Sequence, residues 1–256
     1  MPQKRILVIS PPDFREGEHK KVEALFGAGM ERYHLRKPGA SVQELHDWVV
    51  KLPAKYHDQI TVHGPMTLAI GLKVGGVHLR EADRAGLGRT ELSALANLAR
   101  AEGLMISASV HEGDHLADLQ GFDYAFLSPV FDSISKPGRL GVYESGVLPG
   151  DDPDDPVGEP GHPLVGKSAI DTSVDGVLHK MIETPREDLF LPAADDRSAR
   201  PCPVIALGGI DPEHLPKAVE LGFDGVAVLG AIWDRGEDPV DAYKRLLKAS
   251  ESAVIG

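Results

Sequence analysis

The feature that most constrains this chain is a recurrence. Eight short, mostly apolar runs lie at 6–9, 32–35, 60–62, 76–79, 104–107, 124–127, 203–207 and 225–229. Several are continuous apolar runs without alternation, the pattern of strands covered on both faces of a parallel sheet. Amphipathic stretches separate them, at 16–27, 41–51, 90–102, 112–120, 212–221 and 238–252. In the second stretch Val42, Leu45, Trp48, Val49 and Leu52 fall on one helical stripe. Asp211-Pro212 reads as a helix cap followed by a first-turn proline. Residues 74–79, 121–127 and 222–229 share a weak internal repeat, a helix ending in glycine with an apolar strand directly after it. Eight strands alternating with helices in 256 residues predict an α/β protein, a single (β/α)8 TIM barrel rather than an open doubly wound sheet.

One segment breaks the rhythm. Residues 140–200 hold 13 acidic and 5 basic side chains, eight of the twelve net negative charges. Asp151-Asp152-Pro153-Asp154-Asp155-Pro156 has no capacity to build a core. We read 140–200 as a long acidic insertion between strand six and strand seven, a mobile surface loop in its Asp-Pro part, with a lid left open for 164–192. A net charge of −12 argues against nucleic acid or a membrane surface as partner. One cysteine, Cys202, excludes an internal disulfide and a cysteine metal cluster. The apolar run at 6–9 stops at Pro11-Pro12, too short for a signal peptide, so a cytoplasmic protein is expected. A homo-oligomer is neither required nor excluded.

In a barrel the chemistry sits just beyond the C-terminal ends of the strands. After strands seven and eight, Gly208-Gly209 and Gly230 place bare backbone before a helix. Such amides can cradle a phosphate, although glycines also serve turns. Arg36, with its bidentate fork, and Lys136, in a hydroxyl-rich loop, suit an anionic substrate. His111, placed with Ser109 after strand five, is a candidate acid/base, or a helix-start histidine. Asp83 and Glu81 could hold Mg²⁺ with substrate phosphates, or be solvated. His57, His78 and His162 show no spacing that suggests a metal site.

Several motifs occur together in order: Tyr33-His34-Leu35-Arg36-Lys37-Pro38, Val77-His78-Leu79-Arg80-Glu81, Ser107-Ala108-Ser109-Val110-His111, Asp123-Tyr124-Ala125-Phe126-Leu127-Ser128-Pro129-Val130-Phe131 with Ser135-Lys136, Pro203-Val204-Ile205-Ala206-Leu207-Gly208-Gly209-Ile210, and Gly225-Val226-Ala227-Val228-Leu229. In this the chain resembles the thiamine phosphate synthase/TenI family, over residues 1–139 and 201–250. The resemblance implies a barrel that binds thiazole phosphate. Synthase members join it to hydroxymethylpyrimidine diphosphate with Mg²⁺ and release pyrophosphate. TenI-type members aromatise a thiazole phosphate tautomer with a histidine as acid/base. By motif position Arg36, Ser109 and Lys136 would contact diphosphate, Asp83 would be a Mg²⁺ ligand, and Gly208, Gly209 and Gly230 would hold the thiazole phosphate. His111 matches the TenI histidine, which many synthases share. No organic cofactor is implied.

Two departures from the synthase pattern stand out. Its strand-two Gln-Arg-Lys, at alternate positions, is here His34, Arg36 and Pro38. Its Asn-Asp after strand three is here His63-Gly64. A metal carboxylate and a cation are therefore missing, which should weaken diphosphate departure and leave any Mg²⁺ weakly held. Lys37 or an insertion residue could compensate. The expectation is an enzyme of the tautomerase-like branch. The alternatives are thiamine phosphate synthase, a non-catalytic thiazole- or thiamine-phosphate-binding regulator, or an unrelated barrel isomerase.

Overall fold

The structure, a computed structural model, describes residues 5–110, 116–131 and 200–254. Eight strands close into a parallel barrel in sequence order. They are β1 (Arg5–Ile9), β2 (Tyr33–Leu35), β3 (Ile60–His63), β4 (Gly76–Leu79), β5 (Met105–Val110), β6 (Tyr124–Leu127), β7 (Val204–Leu207) and β8 (Gly225–Val228). Pairing of β1 with β8, Arg5 against Gly225 through Val8 against Val228, completes the ring. Around it run α1 (Glu18–Gly27), α2 (Val42–Val49), α3 (Met66–Leu72), α4 (Glu81–Arg84), α5 (Arg89–Ala101), α6 (Leu215–Glu220), α7 (Gly230–Trp233) and α8 (Pro239–Val254). Among the described residues no helix is long and apolar enough to cross a membrane.

Local chemistry explains the helix starts. Ser41 caps α2: its hydroxyl accepts from the Glu44 amide while the Glu44 carboxylate accepts from the Ser41 amide, a capping box. Leu45, Trp48 and Val49 then face the core, as the stripe requires. Asp211 accepts from the amides of Glu213 and His214, as a cap does, although the helix proper begins only at Leu215. Two elements depart from the sequence reading. The strand predicted at 104–107 runs to Val110, so Ser109 lies within β5 and not after it. The stretch at 112–120 is described only as a 3-10 turn, Leu116–Leu119. Helix α3 gave no amphipathic signal, because nearly all of Met-Thr-Leu-Ala-Ile-Gly-Leu is apolar and its polar side is a single residue. The insertion 140–200 lies outside the described residues except for Arg200. That residue is buried and donates to Gly222 O and Asp224 Oδ2, both at 2.9 Å, fixing the chain as it enters β7.

Two layers of core result. The larger fills the space between strands and helices, with Val8, Leu35, Val62, Val77, Ile106, Ala206 and Val226 pointing outward from the barrel. The smaller lies inside the barrel and comprises Leu7, Ile9, Tyr124, Phe126, Ile205 and Ala227. These come from β6, β7, β8 and β1. The other half of the lumen is polar: His34, Thr61, His78 and Ser107 are all at most 1% exposed. In a barrel, inward residues of alternate strands share a layer. His34, His78 and Phe126, from β2, β4 and β6, are one such layer, with ring centroids 4.7 to 5.6 Å apart.

Candidate active site

At the mouth of the barrel the polar half of the lumen continues upward. Ser10, just past β1, donates from its hydroxyl to Arg36 O at 2.7 Å and accepts from Arg36 N at 2.9 Å. This fixes the Arg36 backbone across the β1–β2 gap. The Arg36 side chain is half-buried and close enough to His63 to act on its charge. Lys37 does not share this placement. Its ammonium turns under the β1–α1 segment and donates to Glu18 Oε2 at 2.6 Å and to Pro11 O and Asp13 O at 2.8 Å each. Both side chains of the pair are 1% exposed. Lys37 therefore holds the fold and cannot replace the missing strand-two cation, which corrects that expectation.

The ends of β3 and β4 are imidazole-rich. His63 is the last residue of β3 and stands opposite His78 in register. Its Nε2 lies 3.1 Å from His34 Nδ1, and its ring stacks on His78 with centroids 4.3 Å apart. His34 Nε2 lies 2.8 Å from the Tyr124 hydroxyl. His78 lies between two serines, Nδ1 2.9 Å from Ser107 Oγ and Nε2 3.0 Å from Ser109 Oγ. Burial holds both His34 and His63 well below the ordinary histidine range, and neighbouring His78 and arginines add to this. Sequence spacing gives no metal-type pattern at His78, and none that singles out His34 or His63. Their separation along the chain follows no motif; only barrel closure unites them.

Of the other expected site residues, Asp83 is drawn into α4. Its Oδ2 accepts from Arg80 Nε at 2.8 Å and from the Arg80 amide at 3.0 Å, and its Oδ1 accepts from Arg80 NH2 at 2.8 Å. Burial works against its ionisation, but the bonds and charge of Arg80 outweigh it and hold the carboxyl below its usual range. Ser109 faces the lumen on His78, and its carbonyl accepts from Arg84 NH2 at 2.6 Å. Gly208 and Gly209 both adopt left-handed backbone, with φ of 97° and 64°. At Gly208 a Cβ would meet Pro129 Cα and Cβ at 2.8 Å, so the β6 and β7 loops touch there through bare backbone. Gly230 opens the buried turn of α7, whose first amides have no acceptor within the helix. The glycines thus line adjacent strand ends. His111 and Lys136 lie outside the described residues.

Comparison with known proteins agrees with this architecture. A sequence model of the family described as thiamine monophosphate synthase matches residues 6–145. The thiamine-phosphate synthase of Natronomonas pharaonis is 26% identical over 234 residues, 90% of this chain and 86% of that protein. That of Desulfitobacterium hafniense is 24% identical over 245 residues, 94% and 91% of the two chains. Among solved structures, thiamine phosphate pyrophosphorylase from Pyrococcus furiosus superposes with a TM-score of 0.60 at 20% identity, covering 98% of this chain and 96% of that one. The corresponding protein of Bacteroides thetaiotaomicron gives 0.58 at 20% identity, covering 96% and 98%. At that identity the superpositions speak for the fold alone. The family match, over more than half of the chain, carries the assignment: this protein is an enzyme of the thiamine monophosphate synthase family.

Proposed function

We propose that the protein is a thiamine-phosphate synthase, joining hydroxymethylpyrimidine diphosphate to thiazole phosphate with release of pyrophosphate. The observation that carries this is the similarity to proteins named thiamine-phosphate synthase, which runs over about nine-tenths of the chain. In this reading the thiazole phosphate rests on the backbone amides at Gly208, Gly209 and Gly230. Arg36 and Ser109, with Lys136, face the diphosphate, whose leaving oxygens gain charge as the bond to the pyrimidine methylene breaks. Ser10 holds the Arg36 backbone at the mouth, and the Arg36 guanidinium can stabilise that charge.

The residues in hand are a poor match to a preformed Mg²⁺ site. Mg²⁺ prefers oxygen ligands in octahedral order. Asp83 has both oxygens on Arg80, and the end of β3 offers His63 and Gly64, an imidazole and no side chain. In this reading Mg²⁺ enters with the diphosphate and is not bound by the chain beforehand.

The same departures favour a second reading, the thiazole tautomerase, in which His111 with Ser109 moves the proton and no diphosphate is handled. One experiment separates the two. The full chain is incubated with both synthase substrates and Mg²⁺, and in parallel with the thiazole phosphate tautomer alone. Pyrophosphate and thiamine phosphate appearing together support the synthase. Aromatised thiazole phosphate without pyrophosphate overturns it in favour of the tautomerase.

A further inference from the structure

We propose that His34, His63 and His78 form a binding site for a late first-row divalent cation of the Zn²⁺ class, inside the C-terminal half of the barrel. Each ring offers one nitrogen, and the three nitrogens lie within 4.8 Å of one another. One edge of the set, His34 Nδ1 to His63 Nε2, is already 3.1 Å. Two imidazoles on one tetrahedral Zn²⁺, with Zn–N of about 2.0–2.1 Å, hold their nitrogens about 3.3 Å apart. The remaining edges are no longer than 4.8 Å, within reach of small ring rotations. His63 has the most room to adjust: it ends its strand and is the only one of the three that is not fully buried.

The surroundings are those of a ligand set and not of three rings packed for bulk. A metal-bound histidine needs its second nitrogen held by another group, which fixes ring and tautomer. For His34, with Nδ1 toward the site, that group is the Tyr124 hydroxyl at Nε2. For His78 a serine hydroxyl waits at either nitrogen, so whichever one turns to the metal the other stays held. Imidazole donors suit Zn²⁺, Cu²⁺ or Ni²⁺ and disfavour Mg²⁺. Imidazole binds a metal in its neutral form, so the ion keeps its full charge, and Arg36 and Arg80 lie close enough to His63 to act on its charge. An oxyanion, hydroxide or a phosphate oxygen, completes the shell.

Binding is measured on the full chain, purified, stripped with a chelator and given Zn²⁺ or Co²⁺ alone. We expect one ion per chain and a Co²⁺ visible spectrum of nitrogen-coordinated, non-octahedral type. His63→Asn should weaken Zn²⁺ at least ~100-fold, more than the 10–100-fold typical of losing only an outer partner. Should that variant not fold, Tyr124→Phe carries the test with an expected loss of ~10–100-fold. No retained ion in the wild type overturns the site. So does unchanged affinity in the folded variant, since the ion would then sit on other histidines. Because the readout is binding and not turnover, its failure is distinct from failure of the synthase reading.

Discussion

Glu18→Gln tests whether the β1–α1 segment is held by a buried charge pair. The change keeps shape and an acceptor but removes the charge facing Lys37. In the wild type all three ammonium protons of Lys37 are used, one on Glu18 at 2.6 Å and two on the carbonyls of Pro11 and Asp13. Glu18 also accepts from the Tyr33 hydroxyl at 2.7 Å and from the Arg15 amide at 3.2 Å. Breaking one side of such a pair strands a charge in the core and costs about 3–5 kcal/mol. The two carbonyls remain to solvate the ammonium, which places the loss near the lower end, at about 3 kcal/mol. For a barrel of this size that is a fall in Tm of roughly 6–12 °C.

The pH dependence has a definite sign. Burial holds Lys37 below its ordinary range, and the hydrogen bond and charge of Glu18 partly restore it. In the variant the folded-state value falls further. Between that value and the usual lysine range the unfolded chain binds more protons than the folded one, so stability rises with pH there. The deficit against wild type should be larger at pH 7 than at pH 10. Adding Lys37→Met to Glu18→Gln should return part of the loss, because it removes the stranded charge. Urea and thermal unfolding of the three proteins at both pH values provide the check. A loss below about 1 kcal/mol for Glu18→Gln, or further destabilisation on adding Lys37→Met, would refute the reasoning.

Two further outcomes follow from the same structure. Gly208→Ala forces an alanine into left-handed backbone, about 1–2 kcal/mol, and presses its Cβ on the Pro129 backbone and ring, about 1–3 kcal/mol more, so urea unfolding should show a loss of about 2–5 kcal/mol; a loss under about 0.5 kcal/mol would mean that the β6 and β7 loops do not touch as described. Burial pushes the Cys202 thiol up to about 12, the charges of Asp224 and Asp123 adding to it. At pH 8 the native protein should hold about 1,000-fold less thiolate there than an ordinary cysteine and react with a disulfide reagent only after unfolding; rapid reaction of the native protein would contradict that burial.

The sequence alone determined the barrel. Strands covered on both faces must be apolar along their length, and alternating them with helices leaves few topologies, so the runs at 76–79 and 124–127 are legible residue by residue and that at 6–9 to within one residue. Where polar residues line the lumen, the signal is weaker. Ser107 and Ser109 in β5 point into a polar lumen and break the apolar run, so the pattern ends at Ser107 while the strand continues to Val110. Strand ends likewise located Arg36, Gly208, Gly209 and Gly230, because the chemistry of a barrel sits at one end of its strands. What the sequence could not carry is which inward residues share a layer. That depends on the tilt and stagger with which the strands close, a property of the ring and not of any segment. Closure brings His34 of β2 and His78 of β4 into one layer with Phe126, and register places His63 beside His78. Nor does a local pattern show that Lys37, one residue from Arg36, turns away from the mouth to meet Glu18. Adjacent residues on a strand end point to opposite sides of the barrel wall, and the tertiary structure alone decides what waits on each side.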